Sequence, residues 1–487
     1  MTNRFASALA AVSLFATATA VLRAADDAGP LLQKTAAALG VTKLTSIQYS
    51  GSGKAASLGQ SYTPQDAWPA LNVKSYTRTI EFASQCSREE MVRTLETPAA
   101  KGGGAPFEGE QKQVNYVCGP YAWNQPGANP VAVFGGSGER QLQILSTPQG
   151  FVKQALVSNA TMKKVKGGNE VTISAIGRYK LTATIDGQGM VSKIETTIAN
   201  PVLGDMAYES AFTDYKDFAG VKFPTHIVQK QGGFMTLDIT VDKVQANPAD
   251  AAMAAPDAVK QAATPQVVAT SQKLADGVWF IGGGSHNSVV IEYKDFIAVV
   301  EAPNSEERSL AVIAEAKKLV PNKPIRYLIN THHHWDHSSG IRTYVAEGAT
   351  VITSEANKAY YEDAWKRPRT IEPDNLSRNP KKAAFVTVKD KYVLTDGDRS
   401  LELNLTQGDN HNAYILFGYM PKEKILIEAD DFTPSAPNGP AMVPLAKTFA
   451  DNLYDNVQRM KLDVVTIIPL HGRVVPYVEF PKALGKS

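Results

Sequence analysis

Four of the eight histidines in this 487-residue chain fall within His332-His333-His334-Trp335-Asp336-His337. Imidazoles this close repel one another once protonated, so a fold must expose them, hold them neutral, or give them a cation to share. The apolar run Ile325-Arg326-Tyr327-Leu328-Ile329 leads straight into the cluster and reads as a buried strand. The histidines therefore begin where a strand ends, the edge at which α/β proteins place ligand sites.

In extended backbone alternate residues share a side, so His332, His334 and Asp336 can converge while His333 and Trp335 point away. His337 has the opposite parity. The chain must then turn at Asp336, and Ser338 and Ser339 suit the cap of a helix starting near Ile341. Such a turn offers two ligand pairs, His332/His334 and Asp336/His337, which fit two adjacent ions better than one. Further donors stand at the ends of later strands: His411 in Gly408-Asp409-Asn410-His411, Asp430 in Glu428-Ala429-Asp430-Asp431, and His471 in Pro469-Leu470-His471-Gly472. Imidazole and carboxylate suit Zn²⁺, and iron and manganese accept the same ligand types.

This ordered series resembles the metallo-β-lactamase superfamily. The family pattern is Thr-His-x-His-x-Asp-His, a later Gly-x-x-His, a strand ending in Gly-Asp, and Pro-Gly-His-Gly. It is matched here by Thr331 to His337, Gly408 to His411, Ala429-Asp430, and Pro469 to Gly472. The resemblance implies that His332, His334 and His411 hold one metal, that Asp336, His337 and His471 hold a second, and that Asp430 bridges them, with Asp431 as the alternative bridge. It also implies an αββα sandwich. Ala429 and Leu470 depart from the pattern, each standing where the family has Gly.

The texture of the chain changes along its length. Residues 26–245 alternate over short runs, as in Tyr179-Lys-Leu-Thr-Ala-Thr-Ile, and read as a mainly antiparallel β domain of unassigned role. Ala100 to Ala105 reads as a flexible loop within it. Residues 246–268 turn to Ala, Pro and Asp and read as a linker. Residues 269–487 interleave strands with helices, near Asn304 to Val320, Glu355 to Trp365 and Phe449 to Met460, which makes this half α/β. Pro368 to Lys382 reads as a surface loop, with a lid as the alternative. His226 reads as an ordinary strand side chain, His333 as a surface residue or a support behind the ligands, and His286 as part of a hairpin turn, with substrate contact as the alternative.

At the N-terminus, Arg4 precedes an uncharged run from Phe5 to Leu22 that contains Ala16-Thr17-Ala18 and Ala18-Thr19-Ala20. That pattern predicts a signal peptide over residues 1–25 and a periplasmic or secreted protein with no membrane span after cleavage. In that compartment Cys86 and Cys118, the only cysteines, are expected to pair. With 50 Lys and Arg against 48 Asp and Glu, the net charge of +2 offers little counter-ion release on nucleic acid. The expected partner is a small-molecule substrate, with the oligomeric state open.

The expected function is hydrolysis of a small ester, lactone, amide or β-lactam by water activated between two Zn²⁺, with Asp336 and Asp430 orienting the nucleophile and moving protons. Two other classes stand beside it. One is an iron-dependent oxidoreductase on the same scaffold, although the diiron branch usually carries Glu at the position of His334. The other is a periplasmic binding protein in which the metal domain is secondary.

Overall fold

The computed structural model describes residues 26–437 and 439–486. The expected signal peptide, residues 1–25, lies outside the described residues.

The N-terminal region forms a 14-stranded sheet in which every neighbouring pair is antiparallel. Its strands alternate because one face is covered and the other is wet. Tyr179, Leu181, Ala183 and Ile185 are buried, while Lys180 between them is exposed. The buried face packs on the helices Gly29–Ala38, Ser137–Leu145 and Pro148–Leu156, with Leu32, Leu142 and Phe151 in the shared core. Cys86 and Cys118 sit opposite each other in adjacent strands and are disulfide-bonded.

The C-terminal region stacks a 7-stranded sheet on a 6-stranded one. In the first, four antiparallel strands from Thr270–Ala275 to Ile297–Val300 continue into three parallel ones, Ile325–Ile329, Thr350–Ser354 and Ala384–Val388. Val289-Val290-Ile291 is apolar without alternation because both of its faces are covered. Val289 and Ile291 point at the second sheet, and Val290 points at the outer helices. Helices Glu306–Leu319, Ile341–Glu347 and Glu355–Ala364 cover the first sheet, and Pro444–Arg459 covers the second through Ala450, Leu453 and Val457. The result is the αββα sandwich. Asn304, with Glu307 three residues on, has the residue types of a cap for the helix Glu306–Leu319, but Ser305 caps it, its side chain accepting from the Arg308 N–H. Asn304 instead takes a positive φ and donates its N–H to the Asp336 carbonyl at 2.9 Å.

The two regions are latched together by residues 368–374, the first part of the segment Pro368 to Lys382 expected to be a surface loop or a lid. Arg369 donates to the carbonyls of Asn200 at 3.1 Å and Val202 at 2.9 Å, and Asp205 accepts from the Thr370 hydroxyl at 2.6 Å. A bare surface loop would leave Arg369 in water, whereas here its side chain is 5% exposed. Among the described residues no helix is long and apolar enough to cross a membrane.

Asp374 anchors this latch, pairing with Arg342 and capping the short helix Asn375–Arg378. Burial pushes its carboxyl up, but hydrogen bonds from Arg342 and Ser377 and the Arg342 charge outweigh that, leaving it at about 2. A depression of that size corresponds to about 2 kcal/mol, reduced to about 1 kcal/mol by water screening at this partly open site. Because the folded value lies below the unfolded one, the stabilisation is complete at neutral pH and disappears as pH falls from about 4 to about 2. Asp374→Asn should therefore be less stable than the parent by about 1 kcal/mol in urea unfolding at neutral pH, with the gap closing in that acid window. A gap that persists unchanged in acid would show that the carboxylate charge is not its source.

Candidate metal centre

The strand Ile325–Ile329 ends in buried Asn330 and Thr331, and the chain stays extended only as far as His334. The helical turn Trp335–Ser338 begins one residue earlier than expected. Ser338 and Ser339 do not cap the next helix. Their hydroxyls donate back to the carbonyls of His334 at 2.8 Å and Trp335, tightening the turn instead. The early turn swings Asp336 and His337 around, so that the alternation argument does not govern them.

Four separated segments then converge. Asp430 Oδ2 lies 3.1 Å from His332 Nε2, 2.9 Å from His337 Nε2 and 3.3 Å from His411 Nε2, and its Oδ1 lies 2.8 Å from His471 Nε2. His332, His334, His411 and Asp430 form one group able to hold an ion. Asp336, His337, His471 and His286 form a second. All seven residues singled out as ligands are thus brought together, joined by His286, whose Nε2 is 3.2 Å from Asp336 Oδ2. His286 is more than part of a hairpin turn: its backbone bridges to His471 and its ring stands edge-on to that of His471 at 4.1 Å. His333 is buried and hydrogen-bonded to the Ser61 hydroxyl at 3.1 Å and Asn412 at 3.2 Å, so the surface alternative for it is excluded. His226 pairs with Asp238 at 2.9 Å in the N-terminal sheet.

The outer hydrogen bonds decide which nitrogen each ring turns inward. Glu301, fully buried, accepts from His337 Nδ1 and from the Thr331 hydroxyl at 3.1 Å, and that hydroxyl accepts from His332 Nδ1 at 3.0 Å. Both rings therefore present Nε2 to the centre. His334 does the reverse. Its Nε2 donates to the carbonyl of Ser61 at 2.9 Å, leaving Nδ1 inward. His332 Nε2, His334 Nδ1, both nitrogens of His411 and Asp430 Oδ2 are buried without hydrogen-bond partners. Inward lone pairs at this spacing have no proton to share, and a cation is the group that satisfies them. The donor set fits divalent metal.

The N-terminal region reaches this centre directly. Gln60 donates to Asp336 Oδ1 at 2.9 Å, Gly59 accepts from the Trp335 N–H, and Trp68 packs edge-on against Trp335 at 5.1 Å. Gly59 has φ +72°, and a Cβ there would lie 2.3 Å from the Trp335 ring, so only glycine fits. The glycine-rich stretch at 101–104, expected to be flexible, is pinned by hydrogen bonds from Gly102 to the Asn410 carbonyl and from Gly103 to the Gln60 carbonyl, each 2.8 Å.

Asp430 and Asp431 are set apart by their surroundings. Burial pushes the Asp430 carboxyl up, but His337, His471 and His411 around it outweigh that and hold it well below the usual range. Asp431 faces Asp409 and Glu428, and burial with these like charges pushes it well up. Asp430 also takes a positive φ of 65°, a strained conformation for a residue with a Cβ. Leu470, in place of the family Gly, is buried between the two sheets. Next to the centre lies a cavity of about 480 Å³, bordered by His286, Asp336, His411, Asp430 and His471.

The sequence pointed to His286 only as a hairpin turn or a substrate contact, and gave no place to Glu301, Gln60 or Ser61. Glu301 carried a signal, a lone carboxylate ending the apolar run Phe296 to Val300. Gln60 and Ser61 gave none, since they lie far along the chain from their partners Asp336 and His334.

Among known proteins, residues 281–483 match the family model described as the metallo-beta-lactamase superfamily. Similar solved structures include a metallo-beta-lactamase from Pontibacter korlensis, 19% identical, covering 45% of this chain and 97% of that one with a TM-score of 0.33. FIM-1 from Pseudomonas aeruginosa in its mono-zinc form is 19% identical over 45% and 96%, with a TM-score of 0.34. Rubredoxin oxygen:oxidoreductase from Desulfovibrio gigas is 16% identical over 44% and 60%, with a TM-score of 0.35. No curated protein matches the chain.

Glu301→Gln keeps the size of the side chain but removes the charge that holds His337 Nδ1–H. Zinc competition titration should show the site that His337 serves losing about 10- to 100-fold in affinity, with the site of His334 and His411 changed less. Unaltered affinity at both would mean that Glu301 serves the fold alone.

Proposed function

Residues 281–483 belong to the metallo-β-lactamase superfamily, and from that premise we propose that the chain is an exported, metal-dependent hydrolase acting on a small ester, lactone, amide or β-lactam. The observation that carries this reading is the ring of inward, unpartnered imidazole nitrogens around Asp430. His332, His334 and His411 would hold one Zn²⁺, Asp336, His337 and His471 the other, with Asp430 between them. When bound, two such cations supply a water acidified towards neutral pH and a Lewis acid for the substrate oxygen.

The chain's own residues do the rest. Asp336 is clamped on one oxygen by Gln60 and faced on the other by His286, which orients the carboxylate that steers the attacking water. Asp430 lies among four imidazoles and stays a carboxylate, so it would accept a hydrogen bond from the water, whose proton ends on the departing oxygen or nitrogen. Attack forms a bond from the water oxygen to the carbonyl carbon, and the bond to the leaving group breaks. The burial of His332, His334, His337 and His411 keeps bulk water from competing for the ligand nitrogens. The Cys86–Cys118 disulfide supports an oxidising, periplasmic or secreted setting.

Zinc-loaded protein should turn over at least one member of a panel of lactones, β-lactams, aryl esters, phosphodiesters and alkyl sulfates. His334→Ala should lower that turnover at least about 100-fold. Equal turnover in the variant would remove the mechanism. Stoichiometric iron in the purified protein, with oxygen consumption, would replace hydrolysis by the oxidoreductase reading.

A further inference from the structure

The cavity beside the ligands draws its lining from both regions of the chain. Its non-ligand surface combines Ala105 and Pro106 of the N-terminal region with Met442, Val443 and Ala446 of the C-terminal one, and adds the uncharged polar groups of Gln60, Thr433 and Ser435. Among the described residues no lysine or arginine lines it, and apart from imidazole its only ionisable groups are Asp336, Asp430 and Asp431. Nearby cations are engaged elsewhere. Lys101 sits 4.8 Å over the Tyr62 ring. Arg473 pairs with Glu479 at 2.5 Å and, with Lys482, borders a separate groove beyond Ser435 and Met442.

A carboxylate on the part of a substrate that lies against Ala105, Pro106, Met442, Val443 and Ala446, away from the metal ligands, gives up water and meets methyl groups, with no lysine or arginine to compensate its desolvation. A neutral acyl chain loses nothing polar and covers apolar surface. The volume of about 480 Å³ admits a small molecule and excludes a polymer.

We propose that this cavity selects an uncharged ester or lactone with a compact apolar acyl part, and that the N-terminal region, through Ala105 and Pro106, forms part of the selecting wall. The inference rests on the hydrolase reading, and it extends that reading by giving the β-sheet region a role in substrate choice. Gly102 and Gly103 hold the wall in place by their hydrogen bonds to Asn410 and Gln60, so its position is set by both regions.

Binding tests this without turnover. Zinc-loaded full-length protein is titrated calorimetrically with benzyl mercaptan and with 4-mercaptomethyl-benzoate, two thiols that differ by one carboxylate on the ring carbon farthest from the sulfur-bearing arm. The neutral thiol should bind at least about tenfold more tightly. Ala105→Trp, at an exposed position the fold tolerates, should weaken the neutral thiol by about tenfold, and Ala105→Leu by less, with zinc content unchanged in both. Equal affinity for the two thiols would overturn the charge selection. Undiminished binding of the neutral thiol by both variants would remove the N-terminal region from the wall. Failure of the hydrolase reading looks different, as selective thiol binding with no ester or lactone turned over.

Discussion

Imidazole nitrogens turned inward around a single carboxylate are the constraint on which the centre depends. Without a cation, His332 Nε2, His334 Nδ1 and the nitrogens of His411 would be buried polar atoms with nothing to bond, and each such atom costs on the order of 1–3 kcal/mol. The fold concentrates this cost in one place, which is expected only where a bound group offsets it. Asp430, at positive φ and among four imidazole nitrogens, is the point through which the two halves of the ligand set meet.

Ring orientation comes from further out. Glu301 and Thr331 form a short relay that fixes the tautomers of His332 and His337, and the Ser61 carbonyl fixes that of His334 in the opposite sense. One of these three anchors belongs to the N-terminal region. That region is therefore more than a tether: its loops supply the Ser61 carbonyl, the Gln60 amide on Asp336, and the glycine at position 59 that lets Trp335 pack. The Arg369 latch on the carbonyls of Asn200 and Val202 holds the two regions in register on another side. Movement between them would be felt at His334 and Asp336 first.

Much of the candidate site was legible in the chain. The density of histidine at His332 to His337, and the later His411, Asp430 and His471 at strand ends, marked residues that the structure brings within contact of one another. The sandwich was legible because doubly covered strands such as Val289-Val290-Ile291 and amphipathic helices such as Pro444–Arg459 carry different periods. Local detail was harder. The turn at Trp335 came early, its serine hydroxyls bonding back to carbonyls, and Asn304 was the expected cap of the helix that Ser305 caps, because only the folded backbone sets Asn304 against Asp336.

Covalent order and residue type were enough to indicate which half of the chain is α/β, which half is an antiparallel sheet, and which side chains carry clustered metal-binding groups, because periodicity and donor chemistry are properties of neighbours along the chain. Tertiary structure alone decided that Gln60 and Ser61 stand behind Asp336 and His334, that His286 joins the ligands, and that Ala105 and Pro106 border the cavity. Those relations join residues hundreds of positions apart. Only the packed chain, with its loops pinned by backbone hydrogen bonds, brings such residues within reach of one another.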